Sequence, residues 1–265
     1  MPMCGGATTT TNPPALVLML ANPTSERLRA LRLEGMLEAL EEQRRQSDIR
    51  ELDFEERFGL LVERQWLWKE NRALAARLKN AQLKIAHATL EDINYRHPRG
   101  LKRAQIEQLR ASAWVQEHRN CIITGPTGIG KSYLACALGH QACREGLRTR
   151  YFYAPKLFRA LETAHADGSL ASLLKTLARL DLFIIDDLGL APAKARQYRD
   201  LLEVVDDRIG RGATLLTSQY PVAQWHDTIG DATVADALLD RLVHNAYRLE
   251  LDGKSLRDPR SAPAA

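Results

Sequence analysis

The chain has 265 residues, 45% of them apolar and 26% charged, with 37 Lys and Arg against 33 Asp and Glu for a net charge of +4. These are ordinary globular proportions, enough for one sizeable core and a smaller second domain. They exclude an acidic solvating chain and permit a nucleic-acid partner without requiring one. Cys4, Cys121, Cys136 and Cys143 show no paired CxxC spacing, and three lie in apolar stretches. Reduced, buried thiols in a cytoplasmic protein are therefore expected, not a zinc site.

Residues 1–24 read as a flexible leader. The apolar run Ala15–Leu20 is too short, and lacks the basic start, for a signal peptide or a membrane span, so no membrane partner is expected. Residues 25–92 read as a small all-helical domain. Leu28, Leu31, Leu33, Met36, Leu37 and Leu40 recur at helical steps behind Ser25, a candidate cap. After a break at 46–53, a second helix begins with Phe54, Phe58, Leu61 and Val62, and a third is expected over about 70–88.

Residues 93–110, with Pro98 and Gly100 among arginines and lysines, read as a basic linker. From 111 to 257 short apolar runs alternate with helical stretches: Cys121–Thr124, Thr149–Tyr153, Leu182–Asp186, Thr214–Ser218 and Tyr247–Leu251. That alternation predicts an α/β domain, a five-stranded parallel sheet flanked by helices. Residues 258–265 read as a disordered tail.

Gly125-Pro-Thr-Gly-Ile-Gly-Lys-Ser132 fits GxxxxGK[ST], follows the first predicted strand and opens a helix. Glycines at 125, 128 and 130 allow torsions and close approach that a Cβ would block, so successive N–H groups can surround phosphate oxygens at a positive helix end. The expected ATP site is Gly125, Pro126, Thr127, Gly128, Ile129, Gly130, Lys131, Ser132 and Tyr133. Lys131 would reach the β- and γ-phosphates and the Ser132 hydroxyl would join a Mg²⁺ shell.

Leu182-Phe-Ile-Ile185 is a continuous apolar run, as in a central strand covered on both faces, and it ends in Asp186-Asp187. Acids at such a strand tip are costly without a cation nearby, which Mg²⁺–nucleotide supplies. Asp186 is then the second Mg²⁺ residue, and Asp187 is placed to polarise the attacking water. Past the fourth strand, Gln219 is a candidate to touch the γ-phosphate or to position water. Alternatively Thr217, Ser218 and Gln219 only satisfy strand-end hydrogen bonds.

Four segments now occur in order: the glycine loop, Phe183-Ile-Ile-Asp-Asp-Leu-Gly189, Thr217-Ser-Gln-Tyr-Pro-Val-Ala-Gln-Trp-His226 and Ala235-Asp-Ala-Leu-Leu-Asp-Arg-Leu-Val-His244. Together they resemble the IstB-like insertion-sequence helper ATPases, relatives of the DnaC helicase loader in the AAA+ class. The resemblance runs from about Arg27 to Arg257. It implies a helper of DNA transposition that binds ATP, self-assembles on duplex DNA and stimulates a partner transposase. Carried onto this chain, Arg241 would be an arginine finger aimed at a neighbouring subunit's nucleotide, or else a surface ion-pair partner of Asp240 or Asp236; Arg257 is a second candidate cation. Ser132 replaces the family's common Thr, and Asp187 stands where most AAA+ proteins carry Glu. Withdrawing that carboxylate by one methylene implies slow hydrolysis.

Between Arg64 and Arg103 ten basic residues face three acidic ones. Arg72, Lys79, Arg96, Arg99, Lys102 and Arg103 are the candidate phosphate contacts for double-stranded DNA, with little sequence preference expected. Rival readings are a DnaC-like helicase-loading adaptor and a small-molecule kinase. The second is disfavoured by the Asp-Asp strand tip.

Overall fold

The computed structural model describes residues 23–190 and 193–256, with no side chain described for Arg50. Most of the expected leader, the whole expected tail and Arg257 lie outside the described residues. The chain divides into two compact units, one running to Ala73 and the other from Leu74.

The first unit is helical. Helix α1 spans Pro23–Ala30 and α2 spans Glu34–Arg45. The single helix expected over 28–40 is thus two, broken where Arg32 takes a positive φ of 57°. Ser25 is not a cap; it is buried inside α1 and its hydroxyl accepts a hydrogen bond from Arg44 Nη1 at 3.4 Å. Helix α3, Phe54–Ala81, merges the expected second and third helices. Its start has a reciprocal cap: Glu56 N donates to Asp53 Oδ1 at 2.8 Å, and Asp53 N to Glu56 Oε2 at 3.0 Å. Gln82 ends it in the left-handed region, with φ 50°, seven residues before the expected stop at 88. The unit boundary falls inside α3, so residues 74–92 pack with the second unit.

In the second unit, α4 (Arg103–Arg110) and α5 (Ala113–Gln116) precede β1 (Asn120–Thr124) and α6 (Lys131–Arg144). Then follow β2 (Thr149–Tyr153), α7 (Ala154–Asp167), α8 (Leu170–Ala178), β3 (Leu182–Leu188) and α9 (Ala195–Asp206). Strand β4 (Ala213–Ser218), α10 (Trp225–Ile229), α11 (Ala232–Val243) and β5 (Ala246–Glu250) complete it. The stretch expected as linker is mostly structural: Ile93 is buried, and α4 buries Ile106 and Leu109 in the core. A basic run conceals these because its apolar residues are sparse and fall on one side only.

The strands pair in parallel in the order β2-β3-β4-β1-β5, each within a residue or two of its predicted span. The apolar run of β3 serves both faces. Leu182 and Ile184 join Leu134 and Leu138 of α6, whereas Phe183 and Ile185 join Leu157 of α7 and Leu201 of α9. Trp225 is buried on the second face and its Nε1 donates to the Tyr220 carbonyl at 3.0 Å, which holds the 221–229 segment onto the sheet. Cys121, Cys136 and Cys143 are free, buried thiols, with Cys121 pushed up to about 12 by burial.

Because β4 lies between β1 and β3, the C-terminal tips of those three strands stand side by side. The β3–β4 register runs Ile185↔Leu216 and then Leu188↔Ser218, so Asp186 and Asp187 together oppose the single residue Thr217. That bulge re-aims the two acids relative to a regular strand.

Candidate nucleotide site

The glycine loop leaves β1 with positive φ at Gly125 (144°), Gly128 (81°) and Gly130 (98°). A Cβ at 128 would strike Ser255, and one at 130 would strike the Arg99 guanidinium. These positions are closed to side chains by both torsion and space. The first bond of the α6 ladder joins Leu134 N to Gly130 O at 3.0 Å, so the amides of Lys131, Ser132 and Tyr133 precede it at the helix's positive end. The Tyr133 hydroxyl turns away from the loop and bonds the Thr89 backbone.

Lys131 is buried, and its ammonium donates to the carbonyls of Gly125 at 2.6 Å and Pro126 at 2.9 Å. Burial lowers its pKa, partly opposed by the nearby Asp187 and Asp186. Asp186 is fully buried and is the hub of the site. It accepts hydrogen bonds from Ser132 Oγ at 2.9 and 2.8 Å, from Thr217 Oγ1 at 2.6 Å and from the Tyr151 hydroxyl at 2.6 Å. Lys84 Nζ adds an ion pair at 3.4 Å. Burial, reinforced by the bond to Asp186, pushes the Tyr151 phenol far above its ordinary value, so it stays a proton donor.

Asp187 is half-buried and takes φ 60°, a left-handed conformation that costs little for Asp and turns it off the strand line. Its N–H donates to Thr217 Oγ1 at 2.8 Å. One threonine hydroxyl therefore fixes both acids. Beside them opens a cleft of about 490 Å³ lined by Lys84, Tyr151, Tyr153, Lys156 and Asp187 among others. Gln219 is half-buried just beyond β4, and Ser218 Oγ donates to the Leu188 carbonyl at 2.8 Å.

The structure thus brings Lys131, Ser132, Asp186 and Asp187 together. It adds Thr217, Tyr151 and Lys84, which the sequence reading left out of the site. Thr217 carried a signal, since a strand-end hydrogen bonder was one of the two readings at 217–219. Tyr151 and Lys84 gave none, because their roles depend on β2 lying against β3 and on where the chain turns after α3.

Two expectations need correction. Arg99 is 2% exposed, with its guanidinium bonded to the Ile129 and Asn94 carbonyls, so it is sealed from any DNA phosphate. Arg241 pairs with neither Asp240 nor Asp236; its ion pair is with Asp206, and Asp236 lies 3.5 Å from His226. The Arg241 carbonyl accepts from Asn120 Nδ2 at 3.0 Å. Since Asn120 opens β1 and the glycine loop follows its other end, Arg241 sits at the opposite end of the sheet from its own loop. Arg72, Lys79, Arg96, Lys102 and Arg103 are exposed.

A five-stranded parallel sheet in this strand order, with a glycine loop after β1 and a buried acid at the tip of β3, is the AAA+ type of P-loop fold. Solved structures agree in fold. Similarity extends to AMPPCP-bound DnaA from Aquifex aeolicus, with a TM-score of 0.54 and 22% identity over 66% of this chain and 53% of that one. It extends also to DnaI, with a TM-score of 0.53 and 20% identity over 62% of this chain and 91% of that one. At the level of sequence, the family model described as IstB-like ATP binding protein matches residues 26–264, and the chain belongs to that family. Among its relatives is the insertion sequence ATP-binding protein y4pL of Sinorhizobium fredii, 48% identical over 90% of this chain and 97% of that protein. Another is the insertion sequence IS1162 ATP-binding protein of Pseudomonas fluorescens, 45% identical over 77% of this chain and 88% of that protein.

Proposed function

We propose that the protein is a Mg²⁺-dependent ATPase that assembles on duplex DNA and directs a partner transposase. The observation that carries this is the meeting of Lys131, Ser132, Asp186 and Thr217 around the glycine loop, in a family whose named relatives belong to insertion sequences.

The loop amides and the α6 N-terminus receive the phosphates, and the Lys131 ammonium exchanges its loop carbonyls for β- and γ-phosphate oxygens. Ser132 Oγ and the Asp186 carboxylate are hard oxygen donors already in contact, which suits Mg²⁺. These two residues would hold the ion, which would supply charge neutralisation to the phosphate oxygens. Asp187, held by Thr217 through its N–H, accepts the proton of the attacking water. Gln219 orients that water from the β4 side. Arg241, remote from its own loop, serves the nucleotide of an adjoining copy, where its charge stabilises the transferring phosphoryl group. Arg72, Lys79, Arg96, Lys102 and Arg103 contact DNA phosphates, so binding weakens steeply with salt.

Helicase loading, suggested by the likeness to the DnaC helicase loader, is the second reading, but that likeness is one of fold, whereas the insertion-sequence relatives match along nearly the full chain. The deciding experiment is sedimentation of the full chain with duplex DNA and ATP. Lys131→Ala is expected to stay unassembled. Asp187→Asn is expected to assemble and persist, with turnover at least ten-fold slower. Equal behaviour of both variants overturns these roles, and co-purification with a replicative helicase in place of a transposase overturns the partner.

A further inference from the structure

The exclusion of Arg99 from any DNA surface leaves a buried cation to explain. Arg99 is 2% exposed, and among the described residues no carboxylate lies within ion-pair distance of it. Its Nη1 donates to the Ile129 carbonyl at 2.9 Å and its Nη2 to the Asn94 carbonyl at 3.2 Å, while its buried Nε has no hydrogen-bond partner. A sealed guanidinium without a counter-ion is costly, and it remains protonated. Such a group calls for an anion close by.

Its partner atom gives its direction of action. In a trans peptide the C=O and the following N–H point opposite ways. With the Ile129 carbonyl bonded to Arg99, the Gly130 N–H points away from that guanidinium. The base of this strut is itself fastened. Asp252 N donates to the Arg99 carbonyl at 3.2 Å, the His97 ring bonds the Lys254 carbonyl at 3.0 Å, and Leu256 N donates to Gly128 O at 3.0 Å. Residues 97–99 and 252–256 therefore grip the outer wall of the glycine loop together.

We propose that Arg99 is a positioning residue of the nucleotide site: it holds the Ile129–Gly130 peptide with its N–H toward the phosphates and sets a buried positive charge behind the loop to favour a triphosphate. This rests on the ATP-binding reading above and assigns to the nucleotide an arginine that sequence places with DNA. Glycine at 130 follows from the same contact, because a side chain there would displace the guanidinium.

The test uses the full chain as Arg99→Met and Arg99→Lys, with Lys131→Ala alongside. Each is assayed for equilibrium ATP affinity, for KM and kcat, for amide exchange at 128–131, and for duplex binding at saturating ATP. The proposal expects Arg99→Met to weaken ATP by ten-fold or more and to raise KM with kcat within two-fold. It expects Arg99→Lys to recover part of the affinity, while the salt slope of duplex binding is unchanged. Should Arg99→Met fail to fold, Arg99→Lys decides, with weaker ATP binding and faster exchange at Gly130 at an unchanged melting temperature. ATP affinity within two-fold of the parent in the folded variants overturns the proposal, as does a duplex salt slope reduced by about one. A parent that binds no ATP overturns the underlying reading instead.

Discussion

Thr217 carries more of the site than its size suggests. Its hydroxyl donates to the buried Asp186 carboxylate at 2.6 Å and accepts from the Asp187 N–H at 2.8 Å, so one oxygen sets both acids of the β3 tip. Thr217→Val keeps the shape and removes both bonds, leaving the half-buried Asp187 N–H without this acceptor and the buried Asp186 carboxylate with one donor fewer. A loss of about 1–3 kcal/mol in stability is expected by thermal or urea unfolding, with a larger fractional loss in turnover than in ATP affinity. The glycine loop and the acid pair were legible in the sequence because each is local: a turn that only glycine tolerates, and charges ending an apolar run. Thr217, Tyr151 and Lys84 meet Asp186 only because β2, β3 and β4 are neighbours, and no residue in those segments declares its neighbour. Arg99 was misread for the converse reason, since a basic stretch reads as solvated surface unless its neighbours in space are known.

Among elements, the strands were read better than the helices. Short apolar runs marked the central strands β1, β3 and β4, which are buried on both faces and have no polar side to blur their edges, while the half-buried edge strands β2 and β5 were marked by aromatic and aliphatic residues around Arg150 and Arg248. Helices α1 and α2 were merged, and α3 was divided, because leucines at helical steps continue across Arg32 while nothing in 54–81 signals continuity. Helix α11, which carries Arg241, does have a readable start. Asp231 caps it, with Oδ1 accepting from Val234 N at 3.2 Å and Oδ2 from Arg199 Nη2 at 3.1 Å. The Val234 bond first, then the Arg199 contact, hold the Asp231 carboxyl below its ordinary pKa. A folded-state pKa below the unfolded one stabilises the fold above the unfolded value, near 4, and that contribution is lost as pH falls through the folded one. Asp231→Ala is expected to lower the melting temperature at pH 7. The gap from the parent should close below about pH 4, measured by melts across pH 3–7. A gap that stays constant over that range contradicts the capping account.

Across the whole sheet, the two strand ends carry different groups. The glycine loop, Asp186 and Thr217 gather at the C-terminal tips of the strands, whereas Arg241 is bonded through its carbonyl to the first residue of β1. A chain built this way cannot apply Arg241 to its own phosphates, so the proposed finger requires a second copy. Mixing makes this testable. Arg241→Ala keeps its own nucleotide site, and Lys131→Ala keeps its Arg241, so each alone is expected to be inactive while the mixture with duplex DNA regains turnover. A mixture no more active than its components contradicts a finger acting between subunits.

All of these rest on the triphosphate seat, and calorimetric titration of the full chain with ATP and Mg²⁺, beside the same titration of Lys131→Ala, tests it most directly. The expected result is saturable binding of a single nucleotide per chain in the parent and none in the variant. A parent that takes up no ATP, or a Lys131→Ala chain that binds it equally well, contradicts the account.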